Sequence, residues 1–327
     1  MVAACIDRDG VAVITGGAAG FGREVALRLV REGMSVALLD VSQKELDSTS
    51  AELSAEGKAG KVKVLPVLCN VTDFQQCAAA AQKVKEAFPD RKISFLFNNA
   101  GIAGQESAMI LQGSPEAWPS IFSVNVFGAV NIIKAFLPGM IEAGPLKSGK
   151  KTILTTTSSV VGLLHHNPSP YSVSKFACTA MCEQLALELE GMGETAAHIS
   201  PHILMPTVCG TGFLNFRGPD GTKALGDELK TSLLDAGGFG ATEIAEGLFA
   251  GLDAGKHHVI VDHPLDIPSI DQVKLRMEDQ MKQQRPRMPE NLALMLNMKD
   301  PPSFRRRKDE AARVGGSFRS RIDLSKL

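Results

Sequence analysis

The chain has 327 residues, of which 44% are hydrophobic and 22% are charged, and its formal net charge is −1. This composition fits one large α/β domain with an appendage, or two small domains. A net charge so close to zero gives no indication that the whole protein binds nucleic acid or a membrane surface. The charge is uneven, because residues 281–327 hold 12 Lys or Arg and 5 Asp or Glu and so carry +7, which leaves −8 on residues 1–280.

Six cysteines lack CxxC spacing and fall mostly within apolar strand or helix patterns. We interpret them as reduced core residues, and we predict no metal site. The opening MVAACIDRDG has none of the regions of a signal peptide, and no apolar run is judged to reach transmembrane length. The sequence therefore predicts a soluble intracellular protein without a membrane span.

The sequence ends in Ser325, Lys326 and Leu327. S-K-L at a free C-terminus is an address that the peroxisomal import receptor reads. The basic segment before it, GGSFRSRID, favours presentation of this end. We predict a peroxisomal location with that receptor as a partner, and the alternative is a chance match in a cytoplasmic protein.

Short apolar runs rich in Val, Ile and Leu alternate with helical patterns from residue 11 to about residue 262. This alternation predicts an α/β fold with a Rossmann-type, doubly wound parallel sheet of about seven strands, in which ligands bind at the C-terminal strand ends. The predicted strands are Val11–Thr15, Ser35–Asp40, Val62–Cys69, Ile93–Asn98, Thr152–Thr157, His198–Met205 and His257–Val261. Helices are predicted to begin near Gly20, Ser42, Thr72, Ser114, Pro170 and Thr242.

The predicted domain covers residues 1–264, and residues 265–327 form a basic, partly disordered C-terminal extension. Within the extension, Asp271–Gln284 has a helical pattern, and the Pro-rich and basic remainder is predicted to be loosely ordered. The long Gly-punctuated segment Gly210–Gly240 is a candidate substrate lid.

A glycine-rich turn follows the first predicted strand. Thr15 ends that strand, and Gly16, Gly20 and Gly22 precede a helical pattern. Such a turn lets the backbone approach a pyrophosphate, which the helix N-terminus attracts. Asp40 ends the second strand, where a carboxylate accepts hydrogen bonds from ribose hydroxyls and repels a 2′-phosphate. With no Lys or Arg beside it, the pattern favours NAD over NADP.

Tyr171, the only tyrosine, and Lys175 lie four residues apart at the start of a helical pattern, so both leave the same helix face. A phenol normally loses its proton near pH ~10, and an adjacent ammonium favours the phenolate. Such a pair can exchange a proton with an alcohol nearer neutrality. Ser159 follows a strand, and its hydroxyl could polarise the oxygen of that alcohol.

Five ordered motifs carry a family resemblance that covers roughly residues 8–262. The chain resembles the classical short-chain dehydrogenases/reductases at Thr15–Gly22 (TGxxxGxG), Asn98–Gly101 (NNAG), Ser123–Val126, Ser158–Gly162 (SSxxG) and Tyr171–Lys175 (YxxxK). The five together are far more specific than any one of them.

The resemblance implies a hydride-transfer enzyme with four catalytic residues. Tyr171 is implied as the general acid/base, and Lys175 as the group that holds the nicotinamide ribose and lowers the pKa of Tyr171. Ser159 is implied to bind the substrate oxygen. Asn125 is implied to bend its helix and hold a water in a proton relay.

The resemblance also implies a cofactor-binding set. Two departures affect it: Asn70 stands where the family often has Asp, and the segment after the sixth strand has Thr207 and Cys209 in place of Gly and an aliphatic residue. Thr211 remains available to bind the carboxamide of the nicotinamide. The implied set is Thr15, Gly16, Gly20, Phe21, Gly22, Asp40, Asn70, Val71, Asn98, Asn99, Ala100, Gly101, Tyr171, Lys175 and Thr211.

The leading hypothesis is an NAD-dependent oxidoreductase that interconverts a secondary alcohol and a ketone. The S-K-L end makes a lipid-derived or acyl-CoA substrate plausible. The alternatives are an NADPH-dependent carbonyl reductase and a non-catalytic NAD-sensing or scaffold protein that uses its basic tail. His165 and His166 are secondary candidates for substrate contact, and helices in 114–144 and 170–191 resemble those that pair subunits, which implies a homo-oligomer.

Overall fold

The computed structural model describes residues 5–57, 62–103, 115–164, 169–207, 240–262 and 269–282. Its strands are β1 (Val11–Thr15), β2 (Ser35–Asp40), β3 (Val64–Leu68), β4 (Ile93–Asn98), β5 (Thr152–Thr157), β6 (Ile199–Pro206) and β7 (His258–Val261). Its α-helices are α1 (Gly20–Arg31), α2 (Gln43–Glu56), α3 (Phe74–Ala87), α4 (Ala117–Phe122), α5 (Ala129–Ala143), α6 (Pro170–Gly191), α7 (Ala241–Asp253) and α8 (Ser269–Met281).

The seven strands form one parallel sheet in the order β3-β2-β1-β4-β5-β6-β7. The predicted fold class is therefore confirmed. The order reverses direction between β1 and β4, and this switch point opens a crevice at the C-terminal strand ends. The segments that follow β1, β4 and β5 carry the three most specific sequence motifs, and the topology brings them to this one edge.

Two hydrophobic layers cover the sheet because side chains alternate along each strand. On one face, Ala12 and Ile14 of β1 pack with α1, α2 and α7. On the other face, Val11 and Val13 pack with α3, α5 and the end of α6. All of β1 is thus buried, and this explains why its sequence is a continuous apolar run with no polar alternation.

Predicted boundaries differ from the observed ones where local capping decides them. The predicted helix start near Thr72 lies two residues before α3, because the side chain of Asp73 accepts hydrogen bonds from the N–H groups of Gln75 and Gln76. Thr72 belongs to the preceding turn, where Asn70 Oδ1 accepts from its N–H and hydroxyl at 3.1 and 2.9 Å. Thr72 and Asp73 are both suitable N-cap residues, and Asp73 is the one that caps α3.

One long helical stretch contradicts a prediction. Helices α4 and α5 join through a π-helical segment, Ser123–Gly128, so that helix runs from Ala117 to Ala143. By length and composition it could cross a membrane, although we judged that no apolar run is long enough. Asn125 and Asn131 interrupt the apolar run in the sequence, but the mean hydropathy of the stretch stays high enough for a membrane span. One such helix among the described residues is weak evidence for a span, because core helices and signal sequences pass the same test.

Helix α8 lies within the predicted C-terminal extension, where Asp271–Gln284 was expected to be helical. The helix begins two residues earlier, at Ser269. The segment 208–239, most of the candidate lid, and residues 283–327 with their terminal S-K-L lie outside the described residues. The predicted division at residue 264 stays a prediction.

A buried histidine joins β6 to the turn before β7. His202 is 5% exposed, and its Nδ1 lies 2.7 Å from the carbonyl oxygen of Lys256, which can only accept a hydrogen bond. Its Nε2 lies 2.9 Å from the Ser200 hydroxyl. The neutral ring satisfies both contacts by donating from Nδ1 and accepting at Nε2. Burial, and to a smaller extent the neighbouring His257, lower the pKa of His202 below its ordinary value of 6.5.

We predict that this group makes folding sensitive to acid. Because the pKa of His202 is lower in the folded than in the unfolded protein, its stabilising contribution is present above about pH 6.5 and is lost as pH falls through the folded pKa. The free energy of unfolding, measured by urea denaturation at about pH 7.5 and 5.5, should fall less in His202→Gln than in the wild type. At the higher pH this variant should be less stable by about 1–3 kcal/mol, because its buried partners lose hydrogen bonds.

The control is Ser54→Ala, which removes an exposed hydroxyl of α2 and no titratable group. This variant should keep the wild-type change of stability between the two pH values. Equal changes in wild type and His202→Gln would show that His202 is not the acid-sensitive group.

Candidate active site

The glycine turn after β1 is built for close backbone approach. A Cβ added to Gly22 would lie 2.1 Å from the carbonyl oxygen of Gly16, so no other residue fits at position 22. Ala19 occupies the N-cap of α1 and makes no side-chain capping bond, and the first turn of α1 contains no acidic residue. The N-terminal N–H groups of α1 are thus left to a ligand, and the site fits a pyrophosphate.

Ala18, in the middle of the turn, is held by hydrogen bonds at both its N–H and its carbonyl. The N–H of Ala18 donates to Asp40 Oδ2 at 3.2 Å, and its carbonyl accepts from the buried hydroxyl of Thr49 at 2.7 Å. Asp40 Oδ1 also accepts from the N–H groups of Val41 and Ser42. Asp40 therefore lies beside the glycine turn, as predicted, and it has a second task in shaping that turn. Sequence reasoning missed Thr49, which carries no motif signal on the surface helix α2.

The Asn98–Gly101 segment joins three strands at the switch point. Thr15 Oγ1 accepts from the N–H groups of Asn99 and Ala100 at 2.8 and 2.9 Å. The side chain of Asn99 donates to the Thr15 carbonyl at 3.1 Å and accepts from Thr157 Oγ1 at 3.0 Å. Thr15 and Asn99 thus fix the ends of β1, β4 and β5 relative to one another.

Other predicted cofactor residues lie around the same edge. Asn98 is buried and donates to the Ala129 carbonyl at 3.0 Å, so its amide supports the helix that begins there. Val71 is buried, and its carbonyl accepts from Asn131 at 2.9 Å. Phe21 is half-buried against the core under α1. Their contacts with a cofactor stay predictions.

Tyr171 and Lys175 lie on the first turns of α6. Ser169 caps this helix by accepting from the Ser172 N–H, and Pro170 occupies the first helical position. Lys175 Nζ lies 5.6 Å from the centre of the Tyr171 ring and donates to the Thr157 carbonyl at 2.9 Å. Lys175 is only 3% exposed, and burial lowers the pKa of its ammonium. Within the part of the chain that the structure describes, no carboxylate pairs with it.

Two adjacent serines after β5 have different surroundings. The Ser158 hydroxyl is buried between the Lys175 carbonyl at 2.9 Å and Thr179 Oγ1 at 2.8 Å. Ser159 caps a short 3-10 turn, Val160–Gly162, and donates to the Pro206 carbonyl at 3.2 Å. The choice of Ser159 as the serine that binds the substrate oxygen stays a prediction. A Cβ on Gly162 would lie 2.6 Å from Ser158 Oγ, so this glycine lets α6 approach the turn.

Asn125 joins the π-helical segment to two parts of the site. Its Oδ1 accepts from the N–H of Ile102 at 2.8 Å, and its Nδ2 donates to the Ile102 carbonyl at 2.9 Å and to Ser174 Oγ at 3.0 Å. Ser174 in turn donates to the Tyr171 carbonyl at 2.6 Å. The Asn125 carbonyl accepts from Cys178 Sγ at 2.9 Å, and burial raises the pKa of that thiol, which favours the protonated donor.

The structure thus brings together the predicted catalytic residues Ser159, Tyr171, Lys175 and Asn125 with the glycine turn and Asp40 at one edge of the sheet. Sequence reasoning missed Thr157, Ser174 and Cys178, because their roles depend on contacts between distant segments. Three predicted contacts lie outside the described residues: the carboxamide ligand Thr211 and the loop residues His165 and His166. Cys209, one of the departures from the family pattern, also lies outside them.

Comparison with known proteins agrees with this geometry. The family profile for short chain dehydrogenases matches residues 10–218, more than half of the chain. The 3-oxoacyl-(acyl-carrier-protein) reductase FabG of Thermotoga maritima is 34% identical over 193 residues, which are 58% of this chain and 72% of that protein. The 2-(S)-hydroxypropyl-CoM dehydrogenase 3 of Xanthobacter autotrophicus is 31% identical over 208 residues, 63% of this chain and 76% of that protein.

A solved structure is similar over most of the chain. The short chain dehydrogenase/reductase of Burkholderia phymatum, crystallised in complex with NAD, is 28% identical, has a TM-score of 0.71 and covers 87% of this chain and 99% of that chain. The motif order, the sheet topology, the position of Tyr171 and Lys175 and the profile match all lead to one assignment. The chain belongs to the short-chain dehydrogenase family of oxidoreductases, which act on the CH–OH group of their donors.

Proposed function

We propose that the protein is an NAD-dependent oxidoreductase that interconverts a secondary alcohol and a ketone. The observation that carries this proposal is the buried Lys175 ammonium, fixed by the Thr157 carbonyl at 2.9 Å and placed 5.6 Å from the Tyr171 ring. A cation near a phenol favours the phenolate. Tyr171 is therefore suited to take a proton from an alcohol or return one to a ketone oxygen.

Each residue of the site has a defined task in this mechanism. When bound, NAD supplies hydride chemistry at the substrate carbon. Tyr171 moves the proton at the substrate oxygen. The Ser159 hydroxyl, which donates to the Pro206 carbonyl in the structure, rotates to donate to the same substrate oxygen. Lys175 supplies positive charge beside the phenol, and an ammonium with three N–H donors has capacity beyond its bond to Thr157. Asn125 holds the Ile102 backbone and Ser174, so it keeps the cofactor and catalytic segments in register.

The two curated relatives support the substrate class. Their names describe a 3-oxoacyl reductase and a 2-hydroxypropyl dehydrogenase, and these groups are a ketone and a secondary alcohol. We extend the proposal to a lipid-derived or acyl-CoA substrate, the extension that the S-K-L end suggested. The peroxisomal location and the import receptor stay predictions.

The surroundings of Asp40 support NAD over NADP. Its carboxylate lies beside the glycine turn, where it would meet the adenosine ribose. Arg23, just after the turn, forms ion pairs with Glu24 and Glu52, so its charge already has partners. A 2′-phosphate would therefore approach the negative charge of Asp40.

Assembly into a homo-oligomer also stays a prediction. The two helical stretches expected to pair subunits expose large apolar side chains, with Phe127 59% and Leu187 61% exposed. Burial of such side chains between subunits would be favourable.

The mechanism predicts the effect of removing one hydroxyl. Tyr171→Phe should lower kcat by about 10²–10⁴-fold, the usual contribution of a positioned acid or base. Its affinity for NADH should stay at the wild-type value, because the glycine turn and Asp40 are unchanged. The measurement is NADH formation by absorbance with a panel of secondary alcohols that includes 3-hydroxyacyl-CoA thioesters, and NADH affinity is followed by fluorescence.

The panel also separates the substrate hypotheses. Turnover of the thioesters that depends on Tyr171 supports a lipid-oxidising role, and activity with small alcohols alone removes that role but keeps the mechanism. Wild-type turnover retained in Tyr171→Phe would refute the mechanism. NADH binding without any oxidation would favour the non-catalytic alternative.

Cofactor preference provides a test that needs no substrate. Asp40→Asn removes the charge but keeps one oxygen, which can still accept from the N–H groups of Val41 and Ser42, while the Ala18 N–H loses its acceptor. Its affinity for NADPH relative to NADH should rise about ten-fold, which corresponds to ~1.4 kcal/mol. The matched control is Asp47→Asn, which removes a charge from an exposed position of α2. A wild-type preference for NADPH, or no change in Asp40→Asn, would contradict the assignment of Asp40.

A further inference from the structure

Helix α8 lies outside all five sequence motifs, yet it is tied to the edge of the sheet that holds the active site. Asp262 directly follows β7, and its carboxylate accepts from the N–H of Ser269 at 2.9 Å and from the Ser269 hydroxyl. These bonds anchor the N-terminus of α8 beside the C-terminal end of β7. Further along the helix, Asp279 is only 1% exposed, so α8 packs closely on the domain.

One side chain of α8 reaches the catalytic segments. Arg276 Nη1 donates to the Leu163 carbonyl at 3.0 Å, and the guanidinium carbon lies 4.8 Å from the centre of the Phe176 ring. We name these two contacts the Arg276 bridge. A guanidinium suits both, because it donates in its plane and stacks on an aromatic face.

Leu163 and Phe176, which Arg276 contacts, each lie next to a segment that carries a residue of the proposed mechanism. Leu163 ends the turn that Ser159 begins, and Gly162 N–H bonds to the Ser159 carbonyl at 2.9 Å while Leu163 N–H bonds to the Val160 carbonyl at 3.0 Å. Phe176 directly follows Lys175 on α6. One cation therefore connects the serine turn with the helix that carries Lys175.

Other contacts join these segments from the inside. The Ser158 hydroxyl bonds to the Lys175 carbonyl, and Gly162 packs against it. The Arg276 bridge adds a connection from the outer side, supplied by a helix that follows the last strand. Since a displacement of about 1 Å can cost about 10²-fold in rate, a small loosening of this turn has a measurable effect.

We propose that Arg276 is a positioning residue for the reaction, holding the Ser159 turn and the Lys175 segment of α6 in their catalytic arrangement. This inference rests on the proposed function, because it assigns Ser159 and Lys175 their tasks. Arg276 acts through Leu163 and Phe176 and does not itself move a proton. Burial lowers its pKa, but a guanidinium remains charged at neutral pH.

The test compares Arg276→Met with Lys274→Met on the same helix. Met keeps an unbranched, flexible side chain in both cases, and Lys274 pairs only across the surface with Asp271 at 3.2 Å with its side chain 67% exposed. Amide hydrogen exchange measured by mass spectrometry reports on the N–H groups of Gly162, Leu163 and Leu164, whose bonds to the turn protect them. Steady-state kinetics then separate kcat from KM.

In Arg276→Met we expect exchange of residues 162–164 to accelerate about ten-fold and kcat to fall about ten-fold, with KM and NADH affinity changed less than three-fold. Arg276→Lys should recover part of kcat, because an ammonium can still donate to the Leu163 carbonyl. Lys274→Met should match the wild type in every measurement.

Two results would overturn the proposal: unchanged exchange at residues 162–164, whatever the change in kcat, or accelerated exchange with unchanged kcat. If Arg276→Met does not fold, Phe176→Leu removes the other half of the Arg276 bridge and should accelerate exchange of the same residues. Exchange needs no substrate, so a wild-type protein that oxidises no alcohol refutes the proposed function while the exchange rates still decide whether Arg276 holds the turn.

Discussion

The active site depends on the burial of one positive charge, the ammonium of Lys175. Taking an ammonium out of water costs on the order of several kcal/mol unless its donors find partners. The structure compensates with the Thr157 carbonyl, which a parallel strand presents at its C-terminal end. The neighbouring segments then pack around this arrangement: Ser158 bonds to the lysine carbonyl, and Gly162 leaves room for the helix. Without the strand end, the charge would have no fixed position.

Most of the scaffold could be predicted because it follows from local patterns. Strands β1, β2, β4 and β5 have the predicted bounds, since a parallel strand covered on both faces is rich in apolar and β-branched residues between turn residues. Strand β6 is displaced by one residue and β3 is shorter than predicted. The helix Ala117–Ala143 is long and apolar enough to span a membrane, which the search for an uninterrupted apolar run missed because Asn125 and Asn131 divide the run. The absence of a membrane span stays a prediction.

The site could be predicted only as far as its motifs extend. Glycine spacing and the Tyr-Lys separation place Gly22, Tyr171 and Lys175 correctly, because each reflects a local geometric need. Thr49, Cys178 and Arg276 gave no signal. Their partners are Ala18, Asn125 and Leu163, and each pair is brought together by the sheet topology across tens of residues. Contacts of this kind depend on the completed fold, and no spacing rule in one sequence specifies them.

Under the proposed function Asp40 has two tasks, and together they limit how cofactor choice could change during evolution. The carboxylate that would meet the ribose is also the acceptor for the Ala18 N–H, and Thr49 holds the carbonyl of the same residue. A lineage that replaced Asp40 by a small or basic residue would lose one of these two supports while it gained tolerance for a phosphate. Compensating changes would then be selected on α2, the helix that carries Thr49. If Asp40 sets the cofactor preference as we propose, selectivity and the shape of the glycine turn would be inherited together.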